Sequence, residues 1–243
     1  MGEVKRNLRR TSKPRTQNRG FTLIELLIVT FIISLLLFTG GYAYSLFTNK
    51  WQEEIGQFDQ VKRFSVGLER LRMATENISP LVIFKDNKQP AFFFIGDKES
   101  LLAITHNGLF NFNFPEAFRL TVLTKPSGKK QLLYQALSLE GFAILTESQS
   151  IDFERQQVLI DDVDDISFSY YGWSSFFDKK GRTADNLIGE LAWSTRFSGL
   201  DRVLMPEKIE LTITNENQKL NLITELDSSV EEHLRTYFDQ EAN

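Results

Sequence analysis

Arg19-Gly20-Phe21-Thr22-Leu23-Ile24-Glu25-Leu26-Leu27-Ile28-Val29 decides how the rest of the chain is read. It sets one carboxylate, Glu25, inside an apolar run from Phe21 to Phe38, directly behind a basic, polar leader. Between Glu25 and Lys50 no charged residue occurs, and about 18 apolar residues are enough for a helix to cross the hydrocarbon core of a bilayer. The pattern predicts a membrane-spanning helix that ends near Gly40-Gly41 or among Tyr42, Tyr44 and Phe47, side chains suited to the interface. The leader carries Lys5, Arg6, Arg9, Arg10, Lys13, Arg15 and Arg19 against a single acid, Glu3. That bias keeps the N-terminus cytoplasmic and sends everything after Lys50 across the membrane.

Other export signals fit less well. A secretory signal has a short apolar core followed by a small-residue cleavage site; here the core is long and no such site follows. Arg9-Arg10 hints at a twin-arginine signal, but the polar stretch Thr11–Asn18 separates it from the apolar run. Glu25 itself requires a reason, because an acid at the centre of a membrane helix costs about 2.5–3.5 kcal/mol on insertion scales. Two reasons are open: the carboxylate meets a partner on another chain, or it lies shallow enough to snorkel to the surface.

Gly20, Phe21, Thr22, Leu23 and Glu25 resemble, position by position, the class III leader of type IV pilins and pseudopilins. The resemblance implies that a prepilin peptidase cuts between Gly20 and Phe21 on the cytoplasmic side and then methylates the new N-terminus at Phe21. It also implies an assembly role for Glu25, whose carboxylate could pair with the freed amine of an adjacent subunit. A glycine at the cut suits close approach of the protease to the backbone. The leader, residues 1–20, is longer than in most secretion pseudopilins of this kind.

Composition bounds the remainder. The chain has 243 residues, 42% of them hydrophobic, enough for a long helix and one globular domain. Cleavage removes seven basic residues and one acidic residue, leaving 21 basic and 31 acidic side chains, a balance of −10. An acidic surface argues against non-specific nucleic-acid binding. With no cysteine, an exported domain rests on its apolar core alone, and thiolate metal sites, cysteine-attached haem and cysteine nucleophiles are excluded. His106 and His233 are the only histidines. No G-x-S-x-G elbow, Walker A loop or G-x-G-x-x-G turn occurs, so no catalytic residue and no cofactor is assigned, and the chain reads as a non-enzyme.

Beyond the membrane, Trp51, Ile55, Phe58, Val61, Phe64, Leu68, Leu71 and Ile78 recur mostly three or four apart, which predicts that the helix continues to a stop at Pro80. The joined helix would hold about 58 residues and reach about 87 Å, with Gly40-Gly41 the place for it to bend. The second half of the stripe reads as packing against the chain's own domain. Short apolar runs then alternate with turn residues, predicting strands at Leu81–Phe84, Ala91–Ile95, Leu101–Thr105, Phe118–Thr124, Leu132–Ser138, Phe142–Thr146, Ile166–Tyr171, Lys208–Thr214 and Leu220–Leu226. Turns are expected at Gly96-Asp97, Pro126-Ser127-Gly128 and Asn215-Glu216-Asn217. The fold class is α+β, pilin-like. It comprises leader 1–20, membrane and assembly helix 21–47, periplasmic half-helix 48–79, β-rich domain 80–226 and a short amphipathic helix or tail 227–243.

Three stretches of the domain are similar to the GspJ family of minor pseudopilins in type II secretion. These are Phe118–Val122 leading through Pro126-Ser127-Gly128 into Leu132–Gln135, then Leu159–Tyr171 read as a turn feeding a strand, and Met205–Ile213 read as the penultimate strand. The resemblance implies a place at the tip of a periplasmic pseudopilus. Its partners would be a prepilin peptidase, the major pseudopilin and GspI-like and GspK-like minor pseudopilins, with the inner membrane as anchor. A minor pilin of a type IV pilus or DNA-uptake system is the alternative, and a signal-anchored periplasmic enzyme or binding domain the competitor from another class.

Other features have plainer readings. Asp161, Asp162, Asp164 and Asp165 offer oxygen ligands for calcium, but the EF-hand order is missing and a solvated turn accounts for them. Phe92-Phe93-Phe94 and Phe110, Phe112 and Phe114 read as core, or as a patch that grips a neighbour. The loop from Trp173 to Trp193 is long enough to make contacts, or is a plain insertion.

Overall fold

Helix α1, Leu23–Glu76, begins with the apolar run and continues without interruption through Gly40-Gly41. Its end is closed by the Asn77 side-chain amide, which donates to the Met73 carbonyl at 2.7 Å. The computed structural model describes residues 21–179, 191–216 and 218–227. The chain divides into two compact units, Met1–Gln57 and Phe58–Asn243, and the β structure lies in the second.

After α1 come β1 (Ile78–Ser79), β2 (Val82–Phe84), β3 (Pro90–Phe92), β4 (Ile95–Gly96), β5 (Ser100–Thr105), β6 (Glu116–Thr124), β7 (Lys130–Ser138), β8 (Arg155–Val163) and β9 (Asp165–Gly172). Helix α2 (Phe176–Lys179), β10 (Ala192–Ser194), β11 (Phe197–Ser198), α3 (Gly199–Arg202), β12 (Lys208–Asn215) and β13 (Gln218–Glu225) follow. One sheet runs β11-β4-β5-β6-β7-β8, with β1 also pairing β5; a second runs β10-β9-β12-β13; β2 and β3 form a hairpin. Every pairing between the strands named here, all among the described residues, is antiparallel, so the α+β fold expected from the sequence is the one observed.

Burial follows the strand period. Along β9 and β12 alternate residues point inward, and Ile166, Phe168, Tyr170, Ile209, Leu211 and Ile213 meet Leu101, Phe118, Leu120, Leu132 and Tyr134 of the larger sheet in the main core. Leu71 and Ala74 of α1 complete that core, with Phe64 and Leu68 packed at its margin. A smaller cluster around Ile83, Phe93, Ile104, Ala117 and Ile144 forms a second core.

Four expectations need correction. Among the described side chains the helix stripe packs from Phe64 onward, whereas Phe58 and Val61 remain 69% and 63% exposed because the domain does not cover them. Phe142–Thr146 is not a strand. It covers the end of β2, with the Phe84 N–H donating to the Leu145 carbonyl at 2.9 Å and one isolated bridge between Phe84 and Thr146. Leu159–Tyr171, expected as a turn feeding a strand, instead begins within the second half of β8, whose pairing with β7 shifts register on both sides of Leu132. Strand Ala91–Ile95 splits into β3 and β4. The expected C-terminal helix at 227–243 lies outside the described residues apart from Asp227.

Candidate functional site

The sequence placed the function at the start of α1. Phe21 and Thr22 are not helical and Leu23 is the first helical residue. Thr22 Oγ1 accepts the Glu25 N–H at 3.3 Å, while Glu25 Oε2 accepts both the Thr22 N–H and the Thr22 O–H, each at 3.0 Å. This is a reciprocal capping box, Thr22 as N-cap and Glu25 three residues on, which satisfies donors that a helix start otherwise leaves orphaned. Glu25 therefore has a partner within its own chain, a point the sequence reading missed. The T-x-x-E spacing was the signal that could have shown it.

From Leu23 to Thr48 the helix is long and apolar enough to cross a membrane, and none of it is buried inside the protein. Its 26 residues reach about 39 Å at 1.5 Å per residue, more than the roughly 30 Å hydrocarbon core. Four hydroxyls along it bond to the helix's own backbone: Thr30 bonds the Leu27 carbonyl, Ser34 that of Thr30, Thr39 that of Leu35 and Thr48 that of Tyr44, all at 2.8–3.0 Å. Where no water is available this spares each of them a desolvation cost. Phe47 and Trp51 pack ring to ring at 4.9 Å across the end of the span, where aromatic side chains are expected at an interface.

Residues 15–39 match the family described as the prokaryotic N-terminal methylation motif. No curated protein matches the chain. The chain thus carries a prepilin signal of the type IV pilin kind, on an apolar helix followed by antiparallel sheets. The prepilin motif and the one candidate span among the described residues suggest a pilin-like protein anchored in a membrane by its N-terminal helix, and the motif implies processing by a prepilin peptidase and assembly with other pilins. A motif of this kind suggests a structural protein, not an enzyme.

The other candidates resolve into structural roles. Asp161 and Asp162 pair with Lys125 at 3.0 and 3.3 Å, Asp164 with Lys129 at 2.8 Å, and Asp165 with Lys130 at 2.7 Å. The four carboxylates face lysines of the β6–β7 hairpin, and among the described residues no group of three or more His, Cys, Asp or Glu could hold a metal. Lys129 and the Glu216 N–H together hold the Asp164 carboxyl below its ordinary range. Phe92, Phe93 and Phe94 are core. Phe110 is half-buried with its ring centroid 5.9 Å from that of Tyr134, whereas Phe112 is 65% exposed and Phe114 also reaches the surface. Of the loop from Trp173 to Trp193, residues 180–190 lie outside the described residues. Arg202 reaches residues flanking it, donating to the carbonyls of Trp173 and Arg196 at 3.1 Å each.

Sequence reasoning also missed Glu116. It is 1% exposed, accepts the Tyr134 O–H at 3.2 Å and takes backbone N–H groups of Leu109, Phe110 and Asn111. Burial pushes its carboxyl up despite those bonds, and burial beside this carboxylate pushes the Tyr134 phenol up as well. Glu116 anchors the 109–111 loop at the foot of a cleft of about 500 Å³.

Proposed function

We propose that the chain is a minor pseudopilin of a type II secretion system, most like GspJ. A prepilin peptidase cleaves it between Gly20 and Phe21 and methylates it at Phe21, and it then assembles through Glu25 at the tip of a periplasmic pseudopilus. The leader stays cytoplasmic and the β domain faces the periplasm, as its basic leader favours. GspI-like and GspK-like minor pseudopilins and the major pseudopilin are its partners, and it performs no catalysis of its own. The observation that carries this reading is the N-terminal methylation motif on an apolar helix long enough to cross a membrane. The GspJ assignment is supported by the resemblance of the β6–β7 hairpin, β9 and β12 to that family.

Intact mass of the membrane-extracted protein, made beside an active prepilin peptidase, is the first test. The expected species starts at an N-methylated Phe21, and a chain that retains residues 1–20 would refute the cleavage assignment. Glu25→Ala is expected to insert normally yet cross-link less to partner pseudopilins. Association with type IV minor pilins in place of GspI-like and GspK-like chains would move the protein to the pilus or DNA-uptake class.

A further inference from the structure

We propose that Thr22 is a positioning residue that aims the Glu25 carboxylate at a neighbouring chain. The inference rests on the reading that Glu25 pairs with the freed amine of another subunit. Both bonds that Thr22 gives to the carboxylate fall on one oxygen, Oε2. Oε1 accepts none among the described residues and is the oxygen left for an incoming donor. A glutamate with free torsions must lose that freedom when it meets an amine, whereas one already pinned at Oε2 has less left to lose. The same box lowers the cost of carrying an acid in lipid while the chain is still alone, because the charge is hydrogen-bonded within the first helical turn. Thr22 thus serves Glu25 before assembly and orients it during assembly, without itself touching the partner.

Capping and aiming are separable. As an N-cap, Thr22 accepts the backbone N–H of residue 25, a bond that survives when the residue 25 side chain is removed. As an aiming group it acts only through the Glu25 carboxylate. A double-mutant cycle distinguishes the two.

The full-length chain, which has no native cysteine, receives Leu37→Cys on the exposed helix surface. It is co-expressed with a prepilin peptidase and a cysteine-bearing GspK-like pseudopilin, and disulfide cross-linking is scored on processed chain only, with cleavage read by intact mass. Thr22→Val, which keeps the shape and removes the hydroxyl, is expected to lower the cross-linked fraction roughly five-fold, the scale of one net hydrogen bond. Thr22→Ser should restore it. In a Glu25→Ala background Thr22→Val should lower it no further. An equal fall in both backgrounds would mean that Thr22 only caps the helix, and would overturn the proposal. So would undiminished cross-linking by Thr22→Val when Glu25→Ala alone is impaired, an outcome that leaves the pairing role of Glu25 intact. If Glu25→Ala itself cross-links like the parent, the pairing role fails and this inference falls with it.

Discussion

At Gly67 the backbone of α1 lies so close to the Leu159 carbonyl of β8 that a Cβ there would overlap it. Replacing a helical glycine by alanine ordinarily gains about 1 kcal/mol of helix propensity, but overpacking a core costs about 1–3 kcal/mol. The obstructing atom is backbone and cannot rotate away, so the cost wins. Gly67→Ala is expected to lower the urea midpoint of the domain with its slope unchanged; a raised midpoint would show that the helix slides to accommodate the methyl. Glu116 poses the opposite problem, a buried carboxyl that must be satisfied by the groups around it. Glu116→Ala would orphan the Tyr134 hydroxyl and the 109–111 amides, at about 1–3 kcal/mol. The folded carboxyl titrates above its ordinary value of 4.5, so the native state holds this proton more tightly than the unfolded chain. Its contribution is greatest at acid pH and is lost as pH rises from the ordinary carboxylate range through the raised folded value. Urea midpoints of the parent and of the non-titrating Glu116→Gln, measured from pH 4 upward, should diverge in that direction, and parallel curves would show that the group does not titrate there.

Elements with an unbroken period were legible and those with a broken one were not. α1 declared itself by length and apolarity, and β9 and β12 by strict alternation, because each buries one face and wets the other. β8 escaped notice since its first half is Arg155-Gln156-Gln157 and its second half carries a register shift that turns both Asp161 and Asp162 to solvent. Asp162 even takes φ 62°, a backbone state that reads locally as a turn. The apolar run Phe142–Thr146 misled in the other direction, because tertiary cover of the second cluster requires apolar residues without requiring a ladder. At the site, Gly20, Phe21 and Glu25 were legible as a motif. The bonds that tie Glu25 to Thr22 required geometry, and Glu116 gave no sign because burial of a single acid has no sequence period. The hairpin lysines carry a further expectation for this region. With Lys125, Lys129 and Lys130 on the four aspartates, millimolar calcium should leave the thermal midpoint of the domain unchanged. A ligand that bound the native state alone would raise it, and such a rise would show that calcium displaces the lysines.

For the whole molecule, the decisive relation is between an apolar stripe and the surface available to cover it. Phe64, Leu68 and Leu71 are packed into the domain, yet Val61 and Phe58, about one and two turns earlier on the same stripe, are left in water. Phe112 and Leu145 add exposed apolar surface elsewhere on the domain. A stripe that outruns its own domain is costly to expose, and contiguous apolar surface of this kind commonly marks an interface. The acidic balance, in contrast, keeps the domain soluble once the membrane span is removed. Residues from Trp51 onward, made alone, are therefore expected to form a soluble, monomeric domain without turnover of its own, and to join GspI-like and GspK-like domains in one complex. Size-exclusion chromatography of the mixture is the measurement, with an interface of about 1,600 Å² as the standard expectation. Phe58→Ser with Val61→Ser separates the stripe from the rest. It should leave the melting temperature of the isolated domain within about 2–4 °C, since exposed substitutions change stability by less than about 0.5 kcal/mol, and it should weaken the complex. If the doubly substituted domain still joins its partners undiminished, the stripe does not contribute to that contact and the interface lies on the sheets.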